Sequence, residues 1–426
     1  MRSSASISTS DRDVFQVPRT SGGHPRLVIG LLVVALIGGA AWAGLATARR
    51  EPTDVAPVAL KSSTLPRPPV VVVEDLPQLK ARLDREAEAH RFMGGVLVAK
   101  GDQILFRQVY GRANEQREPL KLNSRYRLAS VSKQFTAAAI LKLQDEGRLS
   151  VDDPVCKWIQ PCPQAWAPIR LHHLLSHTSG IPDLMARGGW GLRRVTPATL
   201  DELTEDSKKF GLQFAPGTKI RYNNAGFNLA AAVVERASGM AFADYLQSRF
   251  FGPLGMKDTG LDLDAGDHGV VMGYANFPGG LTAQPIANTS IVAGAGAVYS
   301  TLDDMLVWER ALHGGRVISA RAYRQMIADH APEDTPKEHG RKRRDWGYGL
   351  FVNRLGQQVR PAFDDRQIYH TGSWGGFRNL VSYQPENQVT VVVLTNNYHQ
   401  LGPVFMVTQE AMAEALGHDF PTELHR

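Results

Sequence analysis

A serine and a lysine three residues apart, Ser130 and Lys133, are the first side chains in this chain that could do chemistry. They open an apolar run, residues 135–143, whose spacing predicts a helix. On a helix these two positions share a face, so the Lys133 amine can reach the Ser130 hydroxyl. The positive helix end and burial both disfavour an ammonium there, which leaves a neutral amine able to act as a base. The pattern therefore indicates an activated nucleophile, although a capping serine followed by a surface lysine has the same spacing.

Two later stretches carry side chains suited to the same kind of site. Tyr222-Asn223-Asn224 precedes a predicted helix, Gly226–Ser238, and His370-Thr371-Gly372-Ser373 ends a predicted strand. With the Ser130 stretch and in this order, they resemble the signature of the serine beta-lactamase and penicillin-binding-protein superfamily, in its class C-like branch. That signature is Ser-x-x-Lys, then Tyr-x-Asn, then Lys/His-x-Gly. The resemblance extends over roughly residues 75–415 of the chain and includes a secondary stretch, Leu174–Gly180.

The resemblance implies a serine hydrolase that works through an acyl-enzyme. Ser130 would be the nucleophile, and Lys133 and Tyr222 are both candidate bases. A phenol has a pKa of about 10 in water, so Tyr222 would need nearby positive charge to act as a phenolate. The sequence leaves open which of the two side chains holds the proton.

The same resemblance implies the substrate-binding groups. The backbone N–H groups of Ser130 and Ser373 would hold the oxyanion, and Asn224 would hold the acyl-amide group of the substrate. His370 would line the cleft. Thr371 and Gly372 complete the third motif and are assigned to substrate binding with it.

His370 departs from the lysine of the Lys-Thr-Gly form of the motif. The His-x-Gly branch that it resembles includes D-aminopeptidase-like and esterase-like hydrolases. An unperturbed histidine has a pKa of about 6.5 and is mostly uncharged at neutral pH. We therefore expect weak attraction of substrate carboxylates at pH 7.5, and stronger attraction as the pH falls toward 6.

The leading functional hypothesis is a membrane-tethered serine hydrolase acting on amides or esters, either D-amino-acid peptides or small esters. The first alternative is a class C-like beta-lactamase. An alternative of another class is a non-catalytic binding or scaffold protein that retains the fold.

Composition limits the other possibilities. The chain has 426 residues, of which 43% are hydrophobic and 21% charged, as is usual for globular proteins. A net charge of +6 is too small to indicate a nucleic-acid partner. We expect no cofactor. We also expect no metal site, because His172, His173 and His177 lack the glutamate of a His-Glu-x-x-His pattern.

Cys156 and Cys162 could form a short-loop disulfide in an oxidising compartment, or remain two unrelated thiols.

The N-terminal part of the chain predicts an anchored domain. Leu27–Ala46 is an unbroken apolar run of 20 residues, long enough to cross a bilayer. Arg49 and Arg50 follow it as in a stop-transfer segment, so an uncleaved anchor is favoured over a signal peptide. The predicted segments are a polar tail at 1–26, the anchor or signal peptide at 27–48, a proline-rich linker at 49–73 and the hydrolase domain at 74–426. The catalytic domain would be extracytoplasmic, periplasmic or at the cell surface.

The order of predicted elements indicates an α+β fold. Strands lie near both ends of the domain, and helices dominate a middle segment at about 150–290. At the start, the sequence predicts a helix over Leu76–His90 and a hairpin of Gly95–Lys100 with Ile104–Tyr110, turned by Gly101-Asp102. Further along it predicts a helix over Ala241–Phe251, a helix capped near Thr301 and a strand over Tyr348–Asn353. Together they predict a largely antiparallel sheet flanked by helices, with a helical lobe beside it. This is the beta-lactamase/transpeptidase-like fold that the resemblance implies, with the site at the junction of the lobes.

Overall fold

The computed structural model describes residues 71–72, 75–186, 195–264, 268–285, 288–336 and 343–424. The predicted tail, the anchor at 27–48 and most of the linker lie outside these residues. Within the described ranges, none of the helices has the length and apolar character that a membrane crossing requires.

The main sheet confirms the predicted α+β class. Its eight strands lie in the order β1-β3-β2-β14-β13-β12-β10-β9, and every neighbouring pair is antiparallel except β1 with β3. The strands of the described residues, numbered along the chain, are β1 (Val71–Val72), β2 (Gly94–Lys100), β3 (Gln103–Tyr110), β4 (Tyr126–Arg127), β5 (Gly260–Leu261), β6 (Tyr274–Phe277), β7 (Gly280–Ala283), β8 (Val298–Ser300), β9 (Asp345–Trp346), β10 (Phe351–Leu355), β11 (Val359–Arg360), β12 (Asp365–Trp374), β13 (Phe377–Gln384), β14 (Val389–Thr395) and β15 (Glu423–Leu424).

Helices cover the sheet and form most of the middle segment. In chain order they are α1 (Pro77–Glu88), α2 (Lys133–Asp145), α3 (Val155–Trp158), α4 (Leu171–Leu175), α5 (Leu200–Lys208), α6 (Asn224–Ser238), α7 (Phe242–Leu246), α8 (Gly252–Leu254), α9 (Ala293–Gly296), α10 (Leu302–His313), α11 (Ala320–Ile327) and α12 (Leu401–Leu416). Short 3-10 turns at Ala129–Ser132, Gln164–Trp166, Leu184–Ala186 and Thr289–Val292 join them.

The central strands have a hydrophobic core on each face, and successive side chains point into opposite cores. In β2, Leu97 packs into the core that α2 and α6 share, whereas Val96 and Val98 pack into a second core. That second core contains Leu79 of α1 and Met412 of α12. The two cores hold the sheet between α1 and α12 on one side and the helices that carry the site on the other.

Local signals fix the helix that follows the second motif. The Asn223 side chain accepts a hydrogen bond from the backbone N–H of Gly226 at 3.1 Å and caps the start of α6. Gly239 ends the helix with φ of 73°, a left-handed conformation that glycine adopts without strain. Tyr222 and Asn224 therefore sit at a well-defined helix N-terminus.

Three local predictions differ from the structure. The strand predicted from Tyr348 begins at Phe351, because Gly349 turns with φ of 64° against the backbone of Lys133. The helix predicted over Ala241–Phe251 is α7 followed by a π-helical turn, Gln247–Phe251. Val71–Val72, at the end of the predicted linker, form edge strand β1 beside β3.

Cys156 and Cys162 form a disulfide, with Cα atoms 5.3 Å apart. Of the two possibilities that the sequence left open, the structure therefore has the cross-link. It closes a short loop at the end of α3, in the helical middle segment.

Candidate active site

The nucleophile candidate lies on a tight turn that leads into α2. Ser130 belongs to the 3-10 turn Ala129–Ser132, and Ala129 has φ of 51°, in the left-handed region that costs a non-glycine residue about 1–2 kcal/mol. The helix predicted to start at Ser130 thus starts at Lys133 instead. The turn packs against β12, so the packing there holds the strained residue directly before Ser130.

Lys133 is fully buried and makes three polar contacts. Its Nζ lies 3.3 Å from Ser130 Oγ, 2.8 Å from Asn224 Oδ1 and 3.0 Å from the carbonyl oxygen of Ala295. Burial lowers the pKa of Lys133 to about 7, and the Asp183 carboxylate opposes that shift. The helix dipole, which the sequence argument invoked, is therefore secondary to burial. An amine with this pKa is available as a neutral base near neutral pH.

Tyr222 lies directly before the cap of α6 and faces Lys133. The Lys133 amine is 4.7 Å from the centroid of the Tyr222 ring, and the Tyr222 ring stacks on the His177 ring with centroids 4.5 Å apart. Burial raises the pKa of Tyr222, and a hydrogen bond with Ser130 only partly opposes this. The phenol therefore keeps its proton in the resting site.

Asn224, the first residue of α6, connects two polar groups. Its Oδ1 accepts from Lys133, whereas its Nδ2 donates to Asp183 Oδ2 at 3.0 Å and lies 3.2 Å from Met185 Sδ. The amide is therefore occupied on both sides. In this arrangement it serves the lysine directly, beyond the substrate contact that the sequence suggested.

His370 is buried and uncharged, which corrects the expectation that it would gain charge near pH 6. Burial first, with Lys133 and Arg344 adding to it, lowers the pKa of His370 to about 3. Its Nδ1 donates to the carbonyl oxygen of Thr371 at 2.6 Å, and its ring stacks on Phe351 with centroids 4.8 Å apart. The Nε2 atom is buried with no hydrogen-bond partner among the described residues. The neutral His370 ring thus keeps an unused acceptor lone pair on Nε2.

The rest of the third motif lies on β12 beside the nucleophile turn. Strand β10 pairs with β12 only as far as Tyr369, so the strand edge from His370 onward is not paired with β10. Gly372 lies so close to the turn that a Cβ added there would be 2.1 Å from the carbonyl oxygen of Leu128. Ser373 follows, and its Oγ is buried without a hydrogen-bond partner in the described part of the chain.

The structure thus brings the predicted residues of all three motifs to one place, and it adds two that the sequence argument did not assign. Asp183 contacts Asn224, and His177 stacks on Tyr222 and accepts from the backbone N–H of Asn223 at 3.0 Å. Burial lowers the pKa of His177 well below its usual value, so it is neutral. Both lie in or just after Leu174–Gly180, a stretch that belongs to the resemblance, and that was the available signal. No group of three or more His, Cys, Asp or Glu residues suited to a metal ion occurs within the described ranges.

Comparison with known proteins agrees with this geometry. Residues 79–413 match the model of the family described as Beta-lactamase. The chain belongs to the beta-lactamase family. As a member of that family it is a serine hydrolase.

Relatives of this beta-lactamase-family chain differ in their named activities. It is 29% identical over 337 residues to penicillin-binding protein 4* of Bacillus subtilis, covering 75% of this chain and 71% of that one. It is 32% identical over 376 residues to esterase EstB of Burkholderia gladioli, covering 79% of this chain and 94% of the esterase. The octameric penicillin-binding protein homologue from Pyrococcus abyssi has a similar structure, with a TM-score of 0.68 at 26% identity over 81% of this chain and 78% of that one.

Proposed function

We propose that the chain hydrolyses esters and D-amino-acid amides or peptides through an acyl-enzyme on Ser130. The observation that carries the proposal is the Lys133 amine, buried, with a pKa lowered to about 7 and 3.3 Å from Ser130 Oγ. A general base must lie within hydrogen-bond reach of the proton that it takes and be deprotonated near the working pH. Lys133 meets both conditions.

In acylation, the Ser130 oxygen would bond to the substrate carbonyl carbon while its proton passes to Lys133 Nζ. The carbonyl electron pair moves to the oxygen, which would accept hydrogen bonds from the backbone N–H groups of Ser130 and Ser373. When the bond to the leaving group breaks, the leaving group would take the Tyr222 hydroxyl proton, and Lys133 would return a proton to Tyr222. Water would then attack the acyl-enzyme by the same route and release Ser130.

The substrate class is supported by the neutral character of the third motif. With a pKa of about 3, His370 brings no positive charge to the site at neutral pH. A charge-assisted hydrogen bond contributes about 1.5–3 kcal/mol, so its absence disfavours carboxylate-bearing beta-lactams roughly ten- to a hundredfold. Relatives named as an esterase and as D-aminopeptidases favour esters and D-amino-acid substrates for this chain as well.

The nucleophile is tested with a fluorophosphonate probe that carries a fluorophore. Wild-type protein should be labelled at Ser130, because the serine oxygen displaces fluoride from phosphorus. Ser130→Ala should lose labelling and hydrolysis of a substrate panel, whereas Ser248→Ala, at an exposed serine, should retain both. Hydrolysis by Ser130→Ala at more than a few percent of the wild-type rate would refute the assignment.

We further propose that an N-terminal anchor holds the domain outside the cytoplasm. The apolar run Leu27–Ala46 and the Cys156–Cys162 disulfide support this, since disulfides persist in oxidising compartments. The full chain should sediment with membranes and resist carbonate extraction. A freely soluble form beginning near Gly44 would show that the segment is a cleaved signal peptide instead.

A further inference from the structure

Asp183 is an acidic side chain at the site that the proposed mechanism does not use. It precedes the 3-10 turn Leu184–Ala186, and its Oδ1 accepts from the backbone N–H of Met185 at 3.2 Å. Its Oδ2 accepts from Asn224 Nδ2 at 3.0 Å. Burial raises the pKa of this carboxyl, while its hydrogen bonds and Lys133 oppose the rise. The chain thus keeps a carboxylate out of bulk water where it contacts Asn224, and such burial is costly unless the group is paired.

The contact with Asp183 determines which way the Asn224 amide points. A carboxylate only accepts hydrogen bonds, so the amide must turn its NH₂ group toward Asp183. The amide oxygen then points away from Asp183, toward Lys133 Nζ at 2.8 Å. Without Asp183, the amide could also adopt the reversed orientation.

The orientation of the amide matters because a neutral amine has two N–H donors and one lone pair. With Asn224 Oδ1 and the Ala295 carbonyl oxygen as acceptors at 2.8 and 3.0 Å, both donors of Lys133 are used. The lone pair is then directed at the remaining neighbour, Ser130 Oγ at 3.3 Å. A reversed Asn224 would donate an N–H to that lone pair and compete with the serine proton for it.

We propose that Asp183 is a positioning residue, which fixes the Asn224 amide so that the Lys133 lone pair points at Ser130. The inference rests on the proposed function, in which Lys133 is the base. The negative charge of Asp183 also favours the ammonium form of Lys133. The other titratable groups facing Lys133 are Tyr222, His177 and His370, and all three are uncharged at neutral pH.

Two effects are therefore expected when Asp183 becomes asparagine. The plateau rate of Ser130 acylation should fall about tenfold or more, since Asn224 is no longer held in one orientation. The acid limb of the pH profile should move to lower pH by about one unit, because a carboxylate that favours the Lys133 ammonium is gone. A residue that only supports packing would lower the rate without moving the limb.

The test measures the rate of Ser130 phosphonylation by the fluorophosphonate probe from pH 5 to 9. The variants are Asp183→Asn, Asp183→Glu and the control Asp201→Asn, which removes the same charge from a side chain that is 77% exposed. Thermal unfolding of each variant reports on folding. Asp183→Glu should keep the wild-type limb with a reduced plateau, and Asp201→Asn should match wild type in both.

An unchanged plateau or an unchanged limb in folded Asp183→Asn would overturn the inference. If Asp183→Asn does not fold, a limb shifted in Asp183→Glu would overturn it, because that variant keeps the charge. Absence of labelling at Ser130 in the wild-type protein would instead refute the nucleophile, and the inference with it.

Discussion

Replacing Gly372 with alanine should slow acylation of Ser130 sharply while leaving the domain folded. Gly372 lies on β12, and a Cβ there would be 2.1 Å from the carbonyl oxygen of Leu128 and 3.4 Å from the Ala129 Cβ. Leu128 and Ala129 lead directly into Ser130. The added methyl group therefore presses on the strained turn that orients the nucleophile.

The magnitude follows from the displacement that the methyl group requires. Ordinary contact begins at 3.4 Å, so the strand and the turn must separate by 1.3 Å, the difference from 2.1 Å. A displacement of about 1 Å in a catalytic arrangement can lower the rate roughly a hundredfold. Overpacking of this kind costs about 1–3 kcal/mol of stability, which a domain of this size tolerates.

The assay compares the phosphonylation rate of Ser130 with the free energy of unfolding in denaturant. Gly402→Ala is the matched control, because a Cβ at that position would point into open space and its backbone is not left-handed. We expect wild-type labelling in Gly402→Ala and a rate about a hundredfold lower in Gly372→Ala. A rate within threefold of wild type in folded Gly372→Ala would refute the reasoning that the strand–turn contact sets the geometry of the site.

Three further predictions concern charge and redox state. Since burial lowers the pKa of His370 to about 3, the kcat/KM ratio of a penicillin to a neutral ester should stay constant from about pH 5.5 to 8.5, and a rise on acidification would contradict this. Burial raises the pKa of Glu410 to about 7, so the folded chain retains a proton that the unfolded chain loses above its usual 4.5. The free energy of unfolding should therefore fall as the pH rises from about 4.5 to about 7, by up to about 3 kcal/mol. Glu410→Gln should remove this fall, whereas Glu423→Gln, at an exposed glutamate, should not. Cys156 and Cys162 should resist alkylation until reduced, and rapid labelling of the unreduced exported protein would contradict the disulfide.

The sequence predicted the elements whose signals are local. Helix α1 and the β2–β3 hairpin were predicted within one or two residues, because apolar periodicity and the Gly101-Asp102 turn depend on neighbours along the chain. The Thr301 cap of α10 was likewise identified from its own residues. The strand at Tyr348 was placed too early, since the turn at Gly349 depends on contact with Lys133, which is distant in sequence.

The residue types and order of the motifs also came from the sequence by itself. A spacing of three residues within helical turns was enough to pair Ser130 with Lys133, and the Lys133 Nζ lies 3.3 Å from the Ser130 Oγ. The resemblance to a family predicted that Tyr222, Asn224 and His370 share a cleft. In the structure Tyr222 and Asn224 both contact Lys133, and the His370 ring lies 6.5 Å from the Tyr222 ring, centroid to centroid.

A neutral Lys133 was expected from the sequence, but only the tertiary structure decided the charge on Tyr222 and His370. Proton affinity depends on burial and on neighbours from other elements, and neither can be read from three-residue motifs. Burial lowers the pKa of Lys133 to about 7 and that of His370 to about 3. It raises the pKa of Tyr222 instead, which favours the lysine over the phenol as the base. Asp183 lies 41 residues from Asn224 along the chain, and only folding brings its carboxylate against the Asn224 amide.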